Sequence, residues 1–307
     1  MPESPASPTP YEVLGVPASA SYAELRRAYR RCLRASHPDT GGSAARFTAV
    51  QLAWERIGDP AERAAYDQGR SRVREPGSSS ARPAPPARPR PEGSALRARS
   101  HGHPGGRSRE RFLAMVREWA GRGTPPADPY DPALVRSAPR EIRHALAKAL
   151  AEEETARTVS ALGIGFTIWN DVATHHGKVD HVVLGPAGLF ALESQDWGSE
   201  VRVVRGELLG EAVPAGTEPV RSLSHATRSL GRELGVRFTA VLMVVPDDAL
   251  AEPMIAAGRG RRANLLVIRR SVLPQLLRDG LSGGPRTSIG EVFDVRSRLQ
   301  SRIRFVS

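Results

Sequence analysis

Residues 71–108 read SRVREPGSSSARPAPPARPRPEGSALRARSHGHPGGRS, a run of Pro, Gly, Ser and Arg with almost nothing to bury. Such a segment cannot offset the entropy lost on ordering, and it is expected to stay extended or disordered. One continuous core is therefore excluded. The sequence predicts a small body over residues 1–70 and a larger one over residues 109–307, and 307 residues give room for about two domains. Apolar residues make up 40% of the chain, enough for two cores.

The net charge of +11 is unevenly placed. The connector holds 8 Arg against 2 Glu, more than half of the excess. It could attract polyanions without sequence preference, or serve only as a soluble spacer. Of the 44 basic residues only Lys148 and Lys178 are lysines. One cysteine excludes a disulfide scaffold and a Cys-based zinc site. No apolar run approaches the ~18 residues of a membrane span, and MPESPASPTP lacks the basic and apolar segments of a secretion signal. A soluble, cytoplasmic protein is expected.

In the first body, Ser21 and Glu24 form a capping box ahead of YAELRRAYRRCLRAS. At ~100° per residue Tyr22, Leu25, Tyr29, Cys32 and Leu33 share one stripe, while Arg26, Arg27, Arg30, Arg31 and Arg34 take the opposite side. Cys32 reads as a small core residue. A second helix places Phe47, Val50, Trp54 and Ile57 on one face, and Asp59-Pro60 caps a last turn holding Arg63 and Tyr66. The pattern is a helical hairpin whose loop reads His37-Pro38-Asp39-Thr40-Gly41-Gly42.

These residues, from PYEVLGV through His37-Pro38-Asp39 to Arg63 and Tyr66-Asp67, resemble the J-domain of DnaJ-type co-chaperones over about residues 10–70. The resemblance implies an all-α fold that docks on the ATP-bound form of a DnaK-type chaperone and stimulates its ATP hydrolysis. His37, Pro38 and Asp39 would act at the loop tip. Arg26, Arg27, Arg30 and Arg31 would supply an electrostatic docking face.

The second body predicts an α/β domain with a mixed sheet. A helix through REIRHALAKALAEEETARTVSAL precedes the strand runs IGFTIWNDV, KVDHVVLG, GLFALES and EVRVVRG. A helix near 220–234, strands at 238–245 and NLLVIRR, and helices near 271–279 and 288–300 follow. Gly185-Pro186-Ala187-Gly188 is a turn signal. If it closes a hairpin, Leu184 faces Leu189, Asp180 faces Glu193 and Lys178 faces Gln195, all four polar side chains on one side of the sheet. Two carboxylates ~5 Å apart repel, and a divalent metal or a shared proton would reconcile them. Glu152, Glu153 or Glu154 could add a third oxygen.

EEETARTVSAL, the WND segment, VDHVVLGPAGLFALES and Asp196-Trp197-Gly198 are similar to the NERD (nuclease-related) domain over about residues 140–245. The resemblance implies the PD-(D/E)XK, restriction-endonuclease-like fold. Asp180, Glu193 and Glu152 would be ligands of magnesium or manganese (Mg or Mn), in a metal-dependent phosphodiesterase acting on DNA or RNA. The family pattern wants Lys where this chain has Gln195, and glutamine brings no positive charge to a developing phosphate. Lys178, across the strand, is the expected replacement. Three readings stand: a co-chaperone whose second domain binds metal and nucleic acid, a metal-dependent nuclease, or an inactive scaffold that selects clients. His175 and His176 are expected to face solvent, His181 to serve packing, and Trp169 and Trp197 to lie in the core or stack on bases.

Overall fold

The structure, a computed structural model, describes residues 4–36, 42–68, 97–121, 123, 126–258, 264–281 and 289–306. It divides into two compact units.

In the smaller unit, α1 (Pro10–Leu14) is closed at both ends: Thr9 and Glu12 make a capping box, and Gly15 takes the left-handed conformation beyond it. Helices α2 (Tyr22–Ser36), α3 (Ala44–Ile57) and α4 (Pro60–Asp67) follow. Their shared core is Tyr11, Leu14, Leu25, Ala28, Val50, Ala53, Ile57 and Tyr66, with Tyr29, Cys32, Leu33 and Trp54 packed against it. The expected stripe faces this core, with Leu25 buried, Tyr29, Cys32 and Leu33 half-buried, and Tyr22 exposed. Ser21–Glu24 and Asp59 cap as their residue types require. Arg63 ties the unit together: its Nε donates to the Tyr11 hydroxyl at 2.9 Å, and one terminal nitrogen donates to the Ala18 and Ala20 carbonyls at 2.7 and 2.8 Å. The Tyr11 hydroxyl in turn donates to Asp67 Oδ1 at 2.8 Å.

The connector expectation needs correcting at its end. Residues 71–96 lie outside the described residues, but Arg99–His101 is a strand, β1, paired in parallel with a core strand, and α5 (Gly106–Gly121) begins directly after it. Ala98 is buried in the sheet's core, and the Asn170 amide donates to Ser100 Oγ and the His101 carbonyl. Tertiary partners supplied what local composition lacked. The short helix α6 (Pro132–Ser137) belongs to the smaller unit, where Arg136 lies 5.2 Å over the Tyr66 ring.

The larger unit is α/β with a mixed sheet, as expected. Helix α7 (Arg140–Ser160) leads into β2 (Thr167–Thr174), β3 (Gly177–Gly185) and β4 (Gly188–Ser194). Strands β5 (Arg202–Val204) and β6 (Glu207–Leu209) form a separate two-stranded ribbon. Then come α8 (Pro219–Leu234), β7 (Ala240–Val245), β8 (Met254–Ala256), β9 (Leu265–Arg269), α9 (Leu273–Asp279) and α10 (Ile289–Arg302). The main sheet has order β1-β2-β3-β4-β7-β9-β8, with β4, β7 and β9 parallel. Residues 304–306 cover the outer edge of β2 beyond β1, through bonds to Ala173 and Asp171. One face of the sheet packs on α7 and α9, the other on α8 and α10. No helix among the described residues is long and apolar enough to cross a membrane.

The β3–β4 hairpin has the expected register, Leu184 opposite Leu189, with Pro186-Ala187 as the turn. The ladder stops at His181 and Leu192. Beyond it β4 follows β7, since Gln195 N–H donates to the Val244 carbonyl at 2.9 Å. The pleat also slips: Trp169 and Val172 share one apolar layer, as do Val179 and Val182, although alternation would separate each pair. At the slip Asp171 has φ of 49°. A carboxylate-bearing residue tolerates this left-handed conformation better than a branched one.

Candidate functional site

On the smaller unit the chemistry is a surface. Arg26, Arg27, Arg30 and Arg31 are all exposed on one side of α2. Arg27, Arg30, Arg31 and Arg34 line a shallow open depression with Ala35. The opposite side of the helix is fixed by the core, where Tyr29 stacks on Trp54 at 4.4 Å between ring centres. His37, Pro38 and Asp39, which follow α2 in the sequence, lie outside the described residues.

On the larger unit the chemistry is a buried cluster at the carboxyl end of β4, the end at which parallel strands commonly present ligand-binding groups. Helix α7 contributes Lys148 and Glu152, one turn apart on the face toward the sheet. The pleat slip turns Asp171 and Asp180 toward the same space. Lys148 Nζ lies 2.9 Å from Asp180 Oδ2, 3.1 Å from the Ser194 carbonyl, 3.4 Å from Glu152 Oε1 and 3.7 Å from Glu193 Oε1. Lys178 donates to Glu152 Oε2 at 2.7 Å and to Asp171 Oδ1, and lies 3.2 Å from Asp180 Oδ1. Further donors serve the same carboxylates: Ser108 donates to Glu152 Oε1 at 2.6 Å, Ser194 N–H to Asp180 Oδ2 at 2.9 Å, and Arg107 N–H to Asp171 Oδ2 at 3.1 Å.

Both lysines of the chain therefore serve one group of acids. The Glu152 and Asp180 side chains are 0% and 2% exposed, and those of Lys148 and Lys178 are 20% and 16%. Burial raises Glu152, and the neighbouring Asp180 charge adds to it, so its pKa stands at about 7 in spite of both ammonium groups. Burial would raise Asp180 as well, but Lys148 and Lys178 outweigh it and hold that carboxyl at about 2. Glu193 is raised by burial. Burial opposes the charges of Lys148 and Lys178, yet the carboxylates push both upward.

Several expectations are corrected here. Lys178 does not face Gln195: it sits across from Ala173 on β2 and reaches Glu152, Asp171 and Asp180, because β3 and β4 part beyond His181. The ammonium beside Glu193 is that of Lys148. Gln195 Nε2 donates to Glu193 Oε1 at 2.7 Å, and its Oε1 is buried without a partner. Of the three candidate helix acids only Glu152 enters the cluster; Glu153 pairs with Arg109 and Glu154 with Arg157. Sequence reasoning missed Lys148, Asp171 and Ser108. The spacing of Lys148 four residues before Glu152, with the scarcity of lysine, was the available signal for the first.

The other candidates are quiet. His175 is exposed and 3.8 Å from Glu233, and His176 is exposed. The Asn170 amide is committed as donor to β1, so its Oδ1 accepts from His181 Nδ1–H at 2.8 Å. Burial keeps that imidazole neutral, with a pKa of about 4. Trp169 and Trp197 are buried, Trp169 stacked on His101 and Trp197 on His144, so neither presents a face to a base. Cys32 is half-buried and its thiol points to the Leu14 carbonyl at 3.6 Å.

The donor chemistry of Asp180, Glu193 and Glu152 suits Mg or Mn, since all are hard oxygens. Their disposition does not. Both oxygens of Asp180 and of Glu152 already accept from ammonium, amide or hydroxyl groups, and no three His, Cys, Asp or Glu side chains among the described residues are placed to hold a metal ion. With both lysines seated, the cluster does not fit the metal implied by the resemblance.

Residues 9–67 match the family model described as the DnaJ domain. Chaperone protein dnaJ A6 of Oryza sativa subsp. japonica is 48% identical over 58 residues, and chaperone protein dnaJ 3 of Arabidopsis thaliana 45% over 58. Chaperone protein DnaJ of Erysipelothrix rhusiopathiae is 46% identical over 61 residues. Each alignment covers 19% of this chain and 14–16% of the relative's own length. None of these matches reaches the α/β unit, so the resemblance of residues 140–245 to the NERD domain has no counterpart in them. Helix pair, arginine face and family match agree on one conclusion: residues 9–67 are a J-domain.

Proposed function

We propose that this protein is a J-domain co-chaperone whose α/β domain selects the client. Residues 9–67 dock on the ATP-bound form of a DnaK-type chaperone and stimulate its ATP hydrolysis. The observation that carries this is the exposed arginine face of α2 within a unit that matches the DnaJ domain. Such a face draws an acidic partner surface and makes the encounter salt-dependent. His37-Pro38-Asp39 follow it directly in the chain. The hydrolysis belongs to the partner; the J-domain biases its conformational equilibrium.

For the second domain, a helix acid and two strand acids at the carboxyl end of β4 support a nuclease-related domain with a restriction-endonuclease-like sheet. Two features favour holding over cutting. Gln195 brings no positive charge, and the acids are committed to ammonium groups. The reading is therefore a scaffold that has kept the acids without the cleavage.

Single-turnover ATP hydrolysis by DnaK tests the first half. The full chain is expected to accelerate it several-fold and the His37→Gln variant not at all; no acceleration by the wild type overturns the reading. For the second half, plasmid and single-stranded DNA incubated with the protein and manganese are expected to stay intact. Cleavage that disappears in Asp180→Asn would return the domain to the hydrolases.

A further inference from the structure

The surroundings of Lys148 Nζ are those of a cation, not of a surface side chain. Four oxygens stand around it within 3.7 Å: three from carboxylates, on Asp180, Glu152 and Glu193, and one from the Ser194 backbone carbonyl. Asp180 and the Ser194 carbonyl accept hydrogen bonds from it, while Glu152 and Glu193 face it at ion-pair distance, so the charge is surrounded beyond its hydrogen-bonded partners. Carboxylates with a backbone carbonyl are the ligand set of hard divalent ions. Gln195 adjoins Glu193: it is 8% exposed, its amide nitrogen donates to Glu193 Oε1, and its own Oε1 is buried with nothing to accept from. Choice of residue points the same way. Outside this cluster the chain's strong bases are all arginines, planar forks where an ammonium is a compact point charge.

We propose that the Lys148 ammonium sits in a hard-cation seat built by Asp180, Glu193, Glu152 and the Ser194 carbonyl, so that a tethered amine takes the place of a divalent ion. The native α/β domain then binds no magnesium or manganese at this cluster. Removing the amine opens the seat, because four carboxylates remain against the single charge of Lys178. The divalent ion draws the oxygens inward, as its bonds of roughly 2.0–2.6 Å are shorter than the contacts to nitrogen. This deepens the reading of the domain as non-cleaving, and its test is separate: intact DNA would not report on the seat, whereas ion binding does.

Manganese binding to the full chain, freed of metal by chelation and followed by electron paramagnetic resonance, decides it. The wild type is expected to show no stoichiometric site that depends on Asp180. Lys148→Ala and Lys148→Met are each expected to bind one manganese per chain, and to lose it when Asp180→Asn is added. Manganese should raise the melting temperature of the Lys148 variants and leave the wild type unchanged. A wild-type site abolished by Asp180→Asn overturns the proposal whether or not the variants fold. Folded Lys148 variants that bind no manganese overturn it as well.

Discussion

Glu152 shows how one buried proton can set the pH response of a domain. In the unfolded chain its carboxyl titrates near the ordinary glutamate value, about 4.3. Folding moves the pKa up to about 7, through burial first and the Asp180 charge second. Between those values the folded state holds more protons than the unfolded one, so stability falls as pH rises. The contribution is complete below about pH 4, declines through the folded pKa and is level above it. Thermal melts of wild type and Glu152→Gln from pH 5 to 8 should show the wild type losing several degrees relative to the variant. A constant difference across that range would refute the assignment. Asp180 works in the opposite sense: its depressed pKa gives stability that is present at neutral pH and lost only as pH falls toward about 2.

Among elements, α4 is the most exposed to a single substitution. It is eight residues long, and it is tied to α1 and to the turn at Ala18–Ala20 by the Arg63 guanidinium and the Tyr11–Asp67 bond. Arg63→Ala removes three hydrogen bonds to a charged group and is expected to cost about 2–3 kcal/mol, read as a lower denaturant midpoint for the J-domain. Local signals made such elements legible beforehand. Capping boxes, Asp-Pro, the 3.6-residue stripe of α2 and the Gly-Pro-Ala-Gly turn each act within a few residues, and each predicts what is found. Long-range effects hid the rest. Strand β1 exists because the Asn170 amide and the edge of β2 capture it. The slip at Asp171 inverts the pleat on two strands, and no period-2 count reveals it. The register holds over the paired residues from His181–Leu192 to the turn; Asp180 and Glu193 lie one step beyond it and meet through the Lys148 ammonium. Extrapolation of the register to Lys178 and Gln195 failed where β4 leaves β3 for β7.

Across the whole molecule, the smaller unit is not contiguous in sequence. Ala127–Ala138, more than fifty residues past the family match, groups with it, and Arg136 covers the Tyr66 ring. A fragment ending at residue 70 lacks that cover. Calorimetry should find its transition a few degrees below that of the J-domain in the full chain, and Arg136→Ala in the full chain should reproduce part of the loss. Equal melting of fragment and full chain would show α6 to be a bystander. The two lysines have a further consequence at this scale. Because both ε-amines are shielded and ion-paired, the folded exterior carries its positive charge on guanidinium groups. Acylating reagents, and enzymes that tag proteins through lysine, meet on the native chain only two ε-amines, both largely buried and held by carboxylates, so accelerated side-chain labelling by such chemistry becomes a report of the α/β domain opening.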